Sequence, residues 1–215
     1  MPVRYEFEKE LNRLHKDIIK MGAFIEESIQ DMIKALKTRD KELAMHVIKK
    51  DDLIDEMERK IERECLIIVA RQQPIATDLR DIVSILKIVT DLERIADHCE
   101  DISEYVVRLT EKQPFLKLEI LPAMADAVSL MISDTINAYI RKDLDLAREI
   151  IQRDDVIDNY FNQLMEKLIQ LMQEDSELIQ DSTNYILINK YLERMADHAT
   201  NIAEWIIYYG TGKLQ

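Results

Sequence analysis

The sequence predicts an all-α protein: six long antiparallel helices arranged as two tandem three-helix bundles, the product of an internal duplication. Three observations carry that expectation. Three glycines and four prolines are all that 215 residues contain, about a quarter of the usual share, too few turn residues for hairpins or sandwiches. Apolar residues recur at helical spacing almost unbroken between a few punctuation marks. Two segments of the first half also return in the second half, in the same order.

The periodicity places helix one near 4–38 and helix two near 40–72. Pro74 suits the start of helix three, with Thr77 or Asp78 in its first turns, and that helix runs to about Thr110. Pro114 and Pro122 bracket a short irregular link. Helices four, five and six follow near 123–141, 143–173 and 176–208, and Gly210 and Gly212 end the structure. Helices this long, with so little Pro or Gly, argue for elongated antiparallel bundles rather than a compact globin-like packing.

The duplication is read from two motifs. Leu92-Glu93-Arg94-Ile95-Ala96-Asp97-His98 returns as Leu192-Glu193-Arg194-Met195-Ala196-Asp197-His198, identical at six of seven positions. Asp51-Asp52-Leu53-Ile54-Asp55 returns as Asp154-Asp155-Val156-Ile157-Asp158, and Leu43-Ala44 matches Leu146-Ala147. The offsets are 100 and 103, so the turn between the second and third helices is three residues shorter in the later copy. The repeats are residues 1–114 and 115–215, with their boundary near Pro114–Pro122.

The net charge of −13 repels phosphate backbones, and no local basic patch offsets it, so nucleic acid is not an expected partner. Gly22, Gly210 and Gly212 cannot build a P-loop or a dinucleotide fingerprint. The first residues have no apolar h-region, and the longest aliphatic run is Leu66 to Ala70. Cys65 and Cys99 sit in helical patterns, as buried, reduced thiols would. The expected location is the cytoplasm, with membrane contact only through partners.

The chemistry lies in carboxylates. Residues four apart on a helix share one face, roughly 6 Å from each other. Asp51/Asp55 and Glu93/Asp97 have that spacing in the first copy, and Asp154/Asp158 and Glu193/Asp197 have it in the second. Like charges so placed cost a helix a few tenths of a kcal/mol, and a bound cation removes the cost. Carboxylate oxygen is a hard ligand suited to magnesium, calcium, manganese, iron or zinc. In so acidic a chain about eight acid-x-x-x-acid pairs arise by chance, and most such pairs are simply solvated. What singles these out is recurrence at matched positions on two helices of each copy.

On helix three, Ile85, Leu92, Ala96, Cys99 and Val106 define the apolar stripe. Glu93, Asp97, Glu100 and Glu104 form a line at its flank, continued toward the N-terminus by Ile82 and Leu86. A buried line cannot hold four unpaired carboxylates, so it must emerge at the surface, bind a cation or meet basic residues. Arg94 and Arg194 lie about 100° around from the glutamates and can pair with neighbouring acids. His98 and His198 project on the polar side, exposed and away from Asp97 and Asp197, with contact to a partner or a metal as the lesser alternative. The methionines and the aromatic end, Trp205 to Tyr209, read as core or edge filling. No nucleophile elbow, zinc-type cysteine spacing or Glu-x-x-His pair is present, so no catalytic site is expected.

Together, the doubled Leu-Glu-Arg-(Ile/Met)-Ala-Asp-His segments, the Asp-Asp-x-Ile-Asp segments and Arg71-Gln-Gln-Pro-Ile-Ala-Thr-Asp-Leu-Arg80 resemble the PhoU family, accessory regulators of the phosphate-specific transport system. The resemblance covers essentially the whole chain. It implies metal ions (iron, zinc, manganese or magnesium, divalent or trivalent) held by Asp51, Asp55, Glu93 and Asp97, and by Asp154, Asp158, Glu193 and Asp197. Asp101 extends the first set, but its counterpart is Asn201, so the second is expected to hold fewer or weaker-bound ions. The resemblance also implies a non-enzymatic role that restrains phosphate uptake and starvation signalling. Its expected partners are the phosphate ABC transporter's ATPase subunit and the phosphate-sensing histidine kinase; a homodimer is left open. The rival readings are a carboxylate-bridged metalloenzyme and a plain helical scaffold with solvated acidic faces.

Overall fold

The computed structural model describes residues 2–72, 74–110, 116 and 118–213. They form α1 (Pro2–Thr38), α2 (Lys41–Gln72), α3 (Ala76–Thr110), α4 (Ile120–Arg141), α5 (Leu144–Glu174) and α6 (Ile179–Thr211), with one turn of 3-10 helix at Ser176–Leu178. No strand occurs among the described residues.

The same turn is built twice. After α1, Arg39 takes the left-handed conformation at φ 59°, and after α4 its counterpart Lys142 does so at φ 54°. The aspartate that follows caps the next helix. Asp40 Oδ1 accepts from the Leu43 N–H at 3.0 Å, and Asp143 Oδ1 accepts from Asp145 and Leu146 at 3.1 and 3.0 Å. Such caps satisfy amides that the first helical turn leaves without partners.

Two predicted boundaries move. Pro122 does not bound a link but lies inside α4, whose first turn tolerates a residue without an N–H. Gly210 does not stop the last helix. It sits within α6, where an added Cβ would come to 2.8 Å from the end of the Leu144 side chain, so it lies close against the start of α5. Gly212 ends the helix instead, at φ 73°. Pro114 and the repeat boundary at 114/115 fall outside the described residues.

Cross-helix pairs give the topology. Lys60–Asp17 and Lys50–Glu27 fix α1 and α2 as an antiparallel hairpin. α2 runs back along α3, and α5 along α6. The two bundles join through like elements. Gly22 lies against Ile136, Ser133 bonds Glu26 at 2.6 Å and Lys37 bonds Asp126 at 2.6 Å, so α1 and α4 are antiparallel. Arg80 covers Gly212, Lys87 lies over the Trp205 ring, and Asp91 meets His198. These pairs centre α3 and α6 on the two LERxADH segments, near Ala96 and Ala196, both buried. A pseudo-twofold axis therefore passes between α3 and α6, and α2 and α5 lie outermost on opposite flanks.

The core is continuous across both bundles. The stripe predicted on helix three is all buried: Ile85, Leu92, Ala96, Cys99 and Val106 are each at most 2% exposed. Cys65 and Cys99 are free and buried, and burial pushes the Cys65 thiol up to about 12. Trp205 packs half-buried against the core, edge-on to Tyr208. Among the described residues, no helix is long and apolar enough to cross a membrane.

Candidate metal centre

Because α2 and α3 are antiparallel and both stripes are apolar on one side only, their acidic flanks meet along a seam. Asp51 and Asp55 come from α2 and Asp97 from α3. One carboxylate oxygen of each lies within 4.8 Å of one from each of the others. That is the spacing at which one cation can touch all three. The three residues are half-buried, so the charges are neither fully solvated nor sealed away.

The electrostatics follow from that crowding. Burial, then the neighbouring charges of Glu100, Asp97, Asp55 and Asp52, raise Asp51 to about 7. Burial, then Asp97 and Glu58, raise Glu93 to about 7 against the opposing pull of Arg94. Asp97 is raised by burial first, then by Asp55 and Asp101, against the pull of Arg94. Near neutral pH the seam thus holds protons that ordinary carboxylates have lost. Such groups favour a multivalent cation, which supplies the missing positive charge.

Two guanidinium groups partly fill that role. Arg94 donates to Asp97 at 2.8 Å and lies 3.4 Å from Glu93, and Arg59 bonds Asp55 at 2.5 Å. Arg94 pairs as its place on the helix suggested. Arg194, its counterpart, makes no ion pair among the described residues.

The second seam, between α5 and α6, is milder. Asp154 is raised to about 6 by burial, then by Asp197, Asp158 and Asp155. Glu193 and Asp197 are also raised, chiefly by burial, and Lys190 opposes both shifts. Among the described residues no three of these acids meet the spacing that Asp51, Asp55 and Asp97 meet.

Asp101 is placed apart from that trio. Its Oδ2 lies 3.3 Å from Nδ1 of His98, on the side facing α6. The expectation of exposed histidines is overturned: His98 is 6% exposed, and His198 is half-buried. Both lie on the face where α3 meets α6, and a wheel of one helix could not reveal a partner helix on its polar side. Glu58 was missed. It belongs to the first seam, raised by burial and by Glu62 and Asp55, and its spacing of seven from Asp51 was the available signal.

The family model described as PhoU domain matches twice, at residues 18–106 and 121–206. A Clostridium acetobutylicum protein named phosphate-specific transport system accessory protein PhoU homolog is 39% identical over 96% of this chain and 95% of its own length. A Thermotoga maritima protein named phosphate-specific transport system accessory protein PhoU homolog 1 is 38% identical over 96% of this chain and 90% of its own. Crystal structures agree. PhoU from Pseudomonas aeruginosa superposes with a TM-score of 0.93 at 36% identity, covering 96% of this chain and 100% of that one. The phosphate transport system regulatory protein PhoU from Streptococcus pneumoniae gives 0.91 at 34% identity, covering 97% and 99%.

Proposed function

The chain belongs to the PhoU family, and on that membership and the two acidic seams we propose that it is a metal-binding, non-enzymatic regulator of phosphate-specific transport. Its relatives carry accessory and regulatory names, which supports the role. In this reading it acts in the cytoplasm, restraining phosphate uptake and starvation signalling by contacting the transporter's ATPase subunit and the sensor histidine kinase. Each repeat, 1–114 and 115–215, contributes one metal-binding face.

The observation that carries the metal reading is the convergence of Asp51, Asp55 and Asp97 from two helices. With Glu93 beside them they would hold a hard cation such as manganese, iron or magnesium. The second set is Asp154, Asp158, Glu193 and Asp197. Asp101 supports the first set from its flank. Bound cations supply charge neutralisation, and the chain's part is to hold two helices at the separation at which their carboxylates share it. Neutralising the seams changes the surface that α2 and α5 offer to partners.

The test has two arms. Metal-stripped protein is titrated with Mn²⁺, Fe²⁺ and Zn²⁺ by calorimetry, alone and as the Asp97→Ala/Asp197→Ala variant. Reduced stoichiometry in the variant supports the assignment, and an unchanged one rejects it. Purified ATPase subunit and kinase are then presented to the metal-loaded and metal-free forms. Binding of neither partner in either form rejects the regulatory contacts.

A further inference from the structure

The axis between the repeats runs between two histidines that the acidic seams do not use. Side chains on a helix lean toward its N-terminus, so on antiparallel helices crossing near Ala96 and Ala196, His98 and His198 lean toward each other. Their ring centroids are 5.6 Å apart. Each imidazole is held at Nδ1 by a carboxylate. Asp91 Oδ1 lies 2.8 Å from Nδ1 of His198, and Asp101 Oδ2 lies 3.3 Å from Nδ1 of His98. Asn201 donates to the same Asp91 oxygen at 3.3 Å, fixing that carboxylate in place.

An ionised carboxylate only accepts hydrogen bonds, so in each neutral ring Nδ1 carries the proton and Nε2 keeps its lone pair. For His98 that lone pair has no use within the protein. The residue is 6% exposed, and its Nε2 is buried with no hydrogen-bond partner among the described residues. A buried polar atom left so is costly and calls for a reason.

We propose that His98 and His198 bind one borderline divalent cation, of the zinc or copper type, through Nε2 of both rings, with Asp101 and Asp91 as the groups that orient them. Histidine ligands of metals almost always donate their other ring N–H to such an oxygen. With Zn–N bonds of about 2.0–2.1 Å at a tetrahedral angle, two imidazoles on one ion place their centroids roughly 5 Å apart. The observed separation is close to that. His198 has 22% of its side chain exposed, which gives an ion a way in from solvent and leaves its remaining positions to water. The site differs in kind from the seams, because imidazole nitrogen suits zinc and copper whereas all-carboxylate sets suit harder ions.

Metal-free full-length protein titrated with Cu²⁺ and followed by electron paramagnetic resonance tests this. One equivalent is expected to show splitting from two nitrogens, and Zn²⁺ to displace it. The signal should persist in Asp51→Asn/Asp55→Asn, which disarms the neighbouring seam, and vanish in His98→Gln and in His198→Gln. Asp91→Asn keeps both imidazoles and should weaken binding roughly 10–100-fold. An oxygen-only spectrum in the unaltered protein overturns the proposal, as does a two-nitrogen signal that survives in either histidine variant. His198→Gln decides the matter if His98→Gln does not fold, since His198 is the less buried ring.

Discussion

The seam between α2 and α3 and the seam between α5 and α6 are copies of one helix pair that have kept the same four carboxylates and changed what surrounds them. In the first, Glu58 and Glu100 add charge at either side. In the second their counterparts are Phe161 and Thr200, and Thr90 has become Lys190. Among the described residues three acids converge only in the first, and the larger rise, to about 7 at Asp51 against about 6 at Asp154, is there too. The lesson is that the shared four give a candidate site its outline, and the residues around them set how much negative charge is crowded there. Duplication preserved the carboxylates; divergence changed the charge around them.

The largest expected effect comes from disarming the stronger seam. Ligand charge count tunes the affinity of oxygen-only sites over orders of magnitude. Asp51→Asn/Asp97→Asn should weaken the tighter class of Mn²⁺ binding about 100-fold. Asp154→Asn/Asp197→Asn should remove only the weaker class. Calorimetric titration of both double variants checks this, and equal losses in the two would mean that the surroundings do not matter.

Next is conversion of the second seam toward the first. Lys190→Thr removes the cation that opposes the shifts of Glu193 and Asp197, and Thr200→Glu restores the missing charge. Together they should tighten Mn²⁺ binding at that seam about tenfold, since affinity follows ligand charge count. Displacement of Mn²⁺ by a calibrated chelator measures it.

The pH dependence comes third. Asp51 and Glu93 have folded values near 7, above those of the unfolded chain. Below about 4 both states are protonated, and these groups contribute nothing to the balance. As pH rises from there to 7 the unfolded chain releases its protons first, so the native state loses relative stability over that window. Metal-free protein should therefore melt at a higher temperature near pH 5.5 than near pH 8 as far as the first seam is concerned. His15 acts the other way. It is lowered to about 4 by burial and then by Lys142, so its stabilising contribution is lost as pH falls from 6.5 to 4. Asp51→Asn/Glu93→Gln should flatten the rise on acidification and leave the His15 decline; melting curves of both proteins across that range decide it.

Much of this was legible in the sequence. The four carboxylate pairs, the apolar stripe of helix three and the doubling all follow from spacing, because helical periodicity maps sequence onto faces. What could not be read was which faces meet. His98 looked exposed because nothing on α3 announces α6 as a neighbour, and Gly210 looked like a stop because nothing near it announces Leu144. Glu58 was within reach, since it continues the Asp51/Asp55 face at the next turn. The unequal partners of Arg94 and Arg194 were not, because both have the same local sequence and differ only in how the seam is arranged around them.

That last contrast gives the smallest prediction. Arg94 bridges Asp97 and Glu93 with half its side chain in solvent, and an exposed ion pair contributes about 0.2–1 kcal/mol. In metal-free protein Arg94→Ala should lower stability by that amount, whereas Arg194→Ala, which breaks no ion pair, should change little. Metal binding should respond in the opposite sense. Removing the guanidinium frees both carboxylates and removes a competing positive charge, so Arg94→Ala should tighten Mn²⁺ at the first seam by a few fold as the like-charged cation is withdrawn. Chemical denaturation with and without Mn²⁺ reads both effects in one experiment. A variant that loses stability equally in the two conditions would show that Arg94 braces the helix pair and does not stand in for an ion.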